Sequence, residues 1–274
     1  MKILIKLTRS LFKEAEKNAE KAIKHFDADS IHKMRVALKK IRAEFNLLLF
    51  FSQGKLSEKD IQKVKGTFKK AGTVRELQLV ISSIESLPQR KESPQKVVLE
   101  YFKKREKKSE KKFHDYFKEK GEKELSELKK IMLDESKNIQ EHSLTPYFEN
   151  LSNQIMTLQK KEDRTEEELH ELRKRIKELK YNLEVLGETD RTRFENLFPP
   201  KKLDKLEEVI GEWHDEMIFR SRIEKVQPKV LSEIPDVDLL NELQNFFSQL
   251  RKKSDRELQK ELKKTEGLLA KSLN

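Results

Sequence analysis

The chain repeats itself, and this restricts its fold more than any other feature of the sequence. Displaced by 138 positions, His32, Arg35, Lys39 and Arg42 fall on His170, Arg173, Lys177 and Lys180. The apolar residues between them follow. Ile31, Met34, Leu38, Ile41, Phe45 and Leu48 land on Leu169, Leu172, Ile176, Leu179, Leu183 and Leu186, a spacing that lines one face of a helix. At an offset of 139, Ala71-Gly72-Thr73-Val74-Arg75-Glu76 lies over Ile210-Gly211-Glu212-Trp213-His214-Asp215. A third echo pairs Tyr101-Phe102 and Lys107-Lys108-Ser109-Glu110 with Phe246-Phe247 and Lys252-Lys253-Ser254-Asp255. The 274 residues therefore read as two related halves, 1–140 and 141–274.

Both halves read as helical. Gly and Pro number 7 each, too few for the turns of a sheet protein, and the dominant residues are strong helix formers. Helix starts are marked by Ser57 with Asp60, Ser93 before Pro94, Thr145 before Pro146, and a Thr165–Glu168 capping box. Gly54, Pro88, Gly187, Pro199–Pro200, Pro228 and Pro235 read as stops. The pattern predicts an all-α fold with helices near 3–26, 30–52, 57–71, 73–87, 94–120, 121–138, 146–162, 166–187, 201–211, 212–226 and 236–270.

Charge narrows the partner. The formal net charge is +11, and residues 1–100 hold 22 Lys and Arg against 12 Asp and Glu, so nearly all the excess lies early. Such a field draws anions without naming them. Cysteine is absent, which removes disulfides, thiol nucleophiles and Cys-based zinc sites. The apolar patch Ile3-Leu4-Ile5 is too short for a signal peptide or membrane span, so a cytoplasmic protein without membrane contact is expected.

On a helical wheel the four cations of each stripe occupy an arc of roughly 80° beside the apolar arc. They border the core, where one helix meets another, instead of scattering over the solvent face. A polymer of phosphates carries negative charge at short, regular spacing, and a row of donors one helical turn apart, about 5–6 Å, matches it. Arg offers a planar fork to two oxygens and Lys a point charge. His becomes cationic when a phosphate raises its pKa. Tyr181 stands beside the second stripe.

His32-x-x-Arg35-x-x-x-Lys39-x-x-Arg42 and His170-x-x-Arg173-x-x-x-Lys177-x-x-Lys180-Tyr181 resemble the two signature helices of CHAD domains, the conserved-histidine α-helical family. Gly72-x-x-Arg75-Glu76 and Gly211-x-x-His214-Asp215 are similar to that family's second motif, with His214 in place of the usual Arg and Glu76-x-Gln78 in place of an acidic pair. The resemblance spans essentially the whole chain. It implies two pseudo-symmetric antiparallel four-helix bundles, a basic groove between them, and non-enzymatic binding of inorganic polyphosphate, with association to polyphosphate granules in the cytoplasm. The implied contacts are His32, Arg35, Lys39, Arg42, His170, Arg173, Lys177 and Lys180, with Arg75, Tyr181 and His214 from the accompanying positions. Many relatives are fused to a triphosphatase domain of the CYTH type, and this chain shows neither its strands nor its alternating Glu motif.

Other classes fit less well. A lone helical His usually marks only a polar residue near a core, but its duplication with the same neighbours favours a shared role. The lysine runs at 63–70 and 103–108 read as solvated faces, from which Lys69 and Arg105, with Arg251 further along, are the first candidates to extend the groove. Trp213 and the segment Phe45–Phe51 have core spacing, which suits packing better than base stacking. Non-specific nucleic-acid binding is the alternative on charge alone, yet residues 151–250 carry 22 acids against 17 bases and no recognition motif appears. No phosphate loop or hydrolase motif is present, so no catalytic residue or cofactor is assigned. A metal-dependent phosphohydrolase accessory role through His32 and His170 is disfavoured by Arg35 and Arg173, whose charge opposes a divalent ion, and no metal site is assigned.

Overall fold

Long helices account for nearly the whole computed structural model, which describes residues 2–87, 94–139, 144–161, 164–232 and 237–272, with no strand among them. The helices are α1 (Lys2–His25), α2 (Ala28–Phe51), the short α3 (Glu58–Gln62), α4 (Lys65–Glu85), α5 (Pro94–Tyr116), α6 (Glu122–Ser136), α7 (Thr145–Lys160), α8 (Glu166–Asn182), α9 (Glu188–Leu197), α10 (Pro200–Ser232) and α11 (Val237–Ser272). A π turn, Phe117–Gly121, carries α5 into α6 without a break. No described helix is long and apolar enough to cross a membrane. The stops expected at Pro88 and Pro235, the start at Ser93 and the junction between the halves at residue 140 lie outside the described residues.

Local chemistry sets the ends that position the stripes. Asp27 caps α2 by accepting from the Ser30 amide at 2.7 Å, and Thr165 with Glu168 forms a capping box at the start of α8. Past the end of α2, Gly54 adopts φ +86°, a left-handed turn that suits glycine.

Besides the junction expected at 120/121, which the π turn bridges, three expected breaks are absent. The helices foreseen on either side of Gly72 are instead the short α3 and a continuous α4, and Gly211 and Pro228 both lie inside the 33-residue α10. One helix, α9, follows Gly187 where none was expected; Phe194 is its one buried residue, too faint a periodic signal to read.

All twelve apolar stripe residues are buried, none more than 7% exposed. They belong to a core shared by the first and second halves, in which α2 packs on α1, α4 and α8, and α8 on α7 and α10. A smaller second core is also built jointly. Leu77, Val80, Ile84, Val98 and Phe102 of the α4–α5 hairpin meet Ile223, Val226, Val230, Leu243 and Phe247 of the α10–α11 hairpin.

The repeat extends to buried polar residues. Thr8 meets Glu44 in the first half, and Tyr147 meets Asn182 in the second, at the same offsets of 138 and 139. The Thr8 hydroxyl has one proton and two acceptors, Leu4 O at 2.9 Å and Glu44 Oε1 at 2.5 Å. The nearby Ser136 hydroxyl already donates to Met132 O at 2.7 Å. A protonated Glu44 supplies the missing proton, and burial, which outweighs the Thr8 bond, raises its pKa to about 8, with Glu184 adding repulsion. Because the folded pKa lies above the unfolded value of about 4.5, this contribution to stability is complete below the lower value and is lost as pH rises to about 8. Urea midpoints measured from pH 5 to 9 should fall more steeply for the wild type than for Glu44→Gln; parallel profiles would contradict a neutral Glu44.

Candidate anion-binding site

α2 and α8 pack against each other, so the stripes of the two halves meet. Charge is felt across the two stripes: Lys39 and His32 are repelled by Lys177, and His170 by Lys39. Burial, then the like charges of Lys177, Arg35 and Arg173, pull the Lys39 ammonium down to about 7, against a weaker opposing pull from Asp215. Lys177 is lowered by burial and by Arg173. His32 is lowered by burial, then by Arg75, Lys39 and Lys177. His170 is lowered by burial and by Lys174, Arg173 and Lys39.

The second motif completes the cluster from α4 and α10. His214 stacks against His170 with ring centroids 4.8 Å apart. Burial, then Arg173, His170, Lys39 and Lys177, push its pKa down to about 4. Arg75 is half-buried, reaches Ala28 O at 3.5 Å, and lies close enough to repel the charge on His32. The acids of this motif act across the halves: Glu76 pairs with Arg222 of α10, and Asp215 draws on Arg35, Lys39 and Arg75.

The two motif glycines explain their own presence inside helices. A Cβ on Gly72 would stand 2.5 Å from Arg35 Nη1, and one on Gly211 would stand 3.3 Å from Arg173 Nη2. Each glycine makes room for the guanidinium of its own half. Arg35 uses that room to lie over the Phe68 ring at 4.5 Å and donate to Phe68 O at 3.0 Å. The Nε of Arg173 is buried without an acceptor among the described residues, an unmet donor inside the cation cluster.

The structure thus gathers His32, Arg35, Lys39 and Arg75 of the first half with His170, Arg173, Lys177 and His214 of the second. Lys180 and Tyr181 border the cluster through Glu207. Lys180 binds Asp204 at 2.6 Å and also Glu207, while burial and Glu207 raise the Tyr181 hydroxyl to about 12. Arg42, one turn beyond Lys39, and Lys69 on α4 are exposed. Arg105 is exposed on α5 and turned to the Tyr101 hydroxyl at 3.1 Å; Arg251 is part-buried on α11. Both belong to the hairpins of the second core. Trp213, beside His214, is 4% exposed and packs in the core. Sequence reasoning missed Phe68 and Glu207, which face the stripes from equivalent positions on α4 and α10.

Comparison with known proteins agrees with this arrangement. A model of the CHAD domain matches residues 6–224. Among solved structures, the crystal structure of the CHAD domain from the plant Ricinus communis superposes with a TM-score of 0.75, covering 98% of this chain and 91% of that one at 13% identity, a likeness of fold. A search of curated proteins finds no match. Since the family model accounts for most of its length, the chain belongs to the CHAD domain family.

Proposed function

We propose that this protein binds a long inorganic phosphate polymer, non-enzymatically, along the cations gathered where α2 and α8 meet. The observation that carries the reading is Lys39: a part-buried ammonium held near pH 7 by burial and by three cations from both halves. Packing like charges together at a helix crossing raises the energy of the empty protein, and a bound polyanion relieves it. A run of phosphates suits the site because the donors are spread over two helices instead of converging on one point. Arg35, Lys39, Arg173 and Lys177 are the central contacts. His32, His170, His214 and Arg75 surround them, and Arg42, Lys69, Lys180, Tyr181, Arg105 and Arg251 are candidates to extend the track.

Family membership supports the same conclusion, since CHAD domains are known as polyphosphate binders. Non-specific nucleic-acid binding uses the same electrostatics but would also draw on exposed aromatic platforms. Trp213 is buried in the core, and Phe50, the one largely exposed aromatic among the described residues, is packed edge-on against Phe51 and Tyr147, which favours the phosphate polymer.

Long-chain polyphosphate should outcompete single-stranded and duplex DNA at equal phosphate concentration, and DNA winning would overturn the ranking. With roughly 6–10 phosphates neutralised, affinity should fall about a thousandfold between about 50 and 200 mM salt. Reversing Arg35 and Arg173 to Glu should weaken binding by about a hundredfold or more while far-ultraviolet circular dichroism stays helical. Gly72→Ala separates site from stability. The new methyl displaces the Arg35 guanidinium and lowers affinity, while alanine's helix propensity adds up to about 1 kcal/mol to the helix, so Tm holds or rises. Unchanged affinity in Gly72→Ala would show that the seat of Arg35 is irrelevant to the ligand.

A further inference from the structure

The two half-sites share a backbone plan but not their neighbours. At the offset of 139 that aligns the second motif, Phe68 and Lys65 of α4 correspond to Glu207 and Asp204 of α10. In the first half, the Phe68 ring is a platform for Arg35, and no carboxylate comes within ion-pair distance of Lys39 or Arg42 among the described residues, Asp215 attracting Lys39 only from further off. In the second half, the same place holds an acid. Glu207 Oε1 lies 2.5 Å from Lys177 Nζ, its other oxygen binds Lys180, and Asp204 takes Lys180 at 2.6 Å.

This carboxylate is well held. Glu207 and Lys177 are largely covered, with side chains 20% and 15% exposed. Burial opposes ionisation of Glu207, yet the bonds from Lys177 and Lys180 outweigh it and keep the acid below its usual range. Lys180 is raised in turn, the pull of Asp204 and Glu207 exceeding the effect of burial. Without a ligand, two of the four stripe cations of the second half are already neutralised by the protein.

We propose that Glu207 is a built-in competitor of the ligand: it occupies Lys177 and Lys180 in the empty protein, so an anion fills the first half-site freely and enters the second only by displacing this carboxylate. The inference rests on the polyanion-binding reading above and adds an order of filling to it. It makes Glu207 a specificity-determining residue. A short phosphate anion is confined to the first half-site, whereas a long chain anchored there is held at high local concentration over the second and can exchange with Glu207.

The test is titration of the full chain with long-chain polyphosphate and with triphosphate at several salt concentrations, for the wild type and for Glu207→Gln. The neutral amide should tighten long-chain binding about fivefold or more. It should also steepen the dependence of log affinity on log salt by about one, because lysines freed from Glu207 now release counterions to the ligand. Triphosphate affinity at the first half-site should be unchanged. Long-chain affinity that is unchanged or weaker, or an unchanged salt slope, overturns the proposal. Should Glu207→Gln not fold, Asp204→Asn carries the same readings through Lys180, with a smaller gain expected; its side chain is 64% exposed and bears no packing role. A wild type that binds neither anion would instead remove the underlying reading, and the wild-type titration shows this separately.

Discussion

Two helices that bear cations on the border of their apolar faces cannot pack together without bringing those cations together. That is the constraint set where α2 meets α8. Twelve aliphatic and aromatic side chains seal the crossing, and their burial fixes the rotation of each helix about its axis. The rotation in turn fixes where Arg35, Lys39, Arg173 and Lys177 must go. The depressed pKa values of Lys39, Lys177, His170 and His214 are the electrostatic expression of this packing. Hydrophobic burial thus holds in place a cluster that would otherwise disperse into solvent.

Around that crossing, each half supplies the means to keep its own arginine in position. Gly72 and Gly211 give up helix propensity so that a guanidinium can lie against the helix backbone. The motif acids then tie the halves to each other, Glu76 through Arg222 and Asp215 through the charges of the first stripe. The sequence repeat aligns α2 with α8 and α4 with α10, and chemistry departs from it at a few points: Phe68 against Glu207, Arg75 against His214, Glu44 against Asn182. These departures give the two halves different charged and proton-binding groups beside their stripes.

The stripes and their core were legible because a helical period repeated at a fixed offset leaves few other solutions. The twelve apolar positions followed from it, while the meeting of the two cation rows was implied by the resemblance to CHAD domains. Gly72 and Gly211 were misread as helix breaks, since a sequence does not distinguish a glycine needed by its own backbone from one needed by a neighbour's side chain. Pro228 was misread for a related reason: inside the long α10, packing against α11 offsets one lost backbone bond. α9 buries Phe194 alone and gave no period to detect. Glu207 sits in an acid-rich stretch where nothing local marks it. Only its alignment with Phe68 sets it apart, and that comparison gains meaning once Lys177 and Lys180 are seen to reach it.

If the crossing of α2 and α8 holds cations strained by one another, a bound polyanion must restore their charge. Calorimetric titration with long-chain polyphosphate at pH 7.5, in buffers of different ionisation enthalpy, counts the protons exchanged on binding. With Lys39 near 7 in the free protein, a substantial fraction of it is neutral at that pH and recharges against phosphate. Net proton uptake is expected, and it should shrink in Lys39→Met, where only the depressed Lys177 and histidines are left to recharge. Binding with no proton uptake, or with uptake undiminished in Lys39→Met, would contradict a strained cation cluster at this crossing.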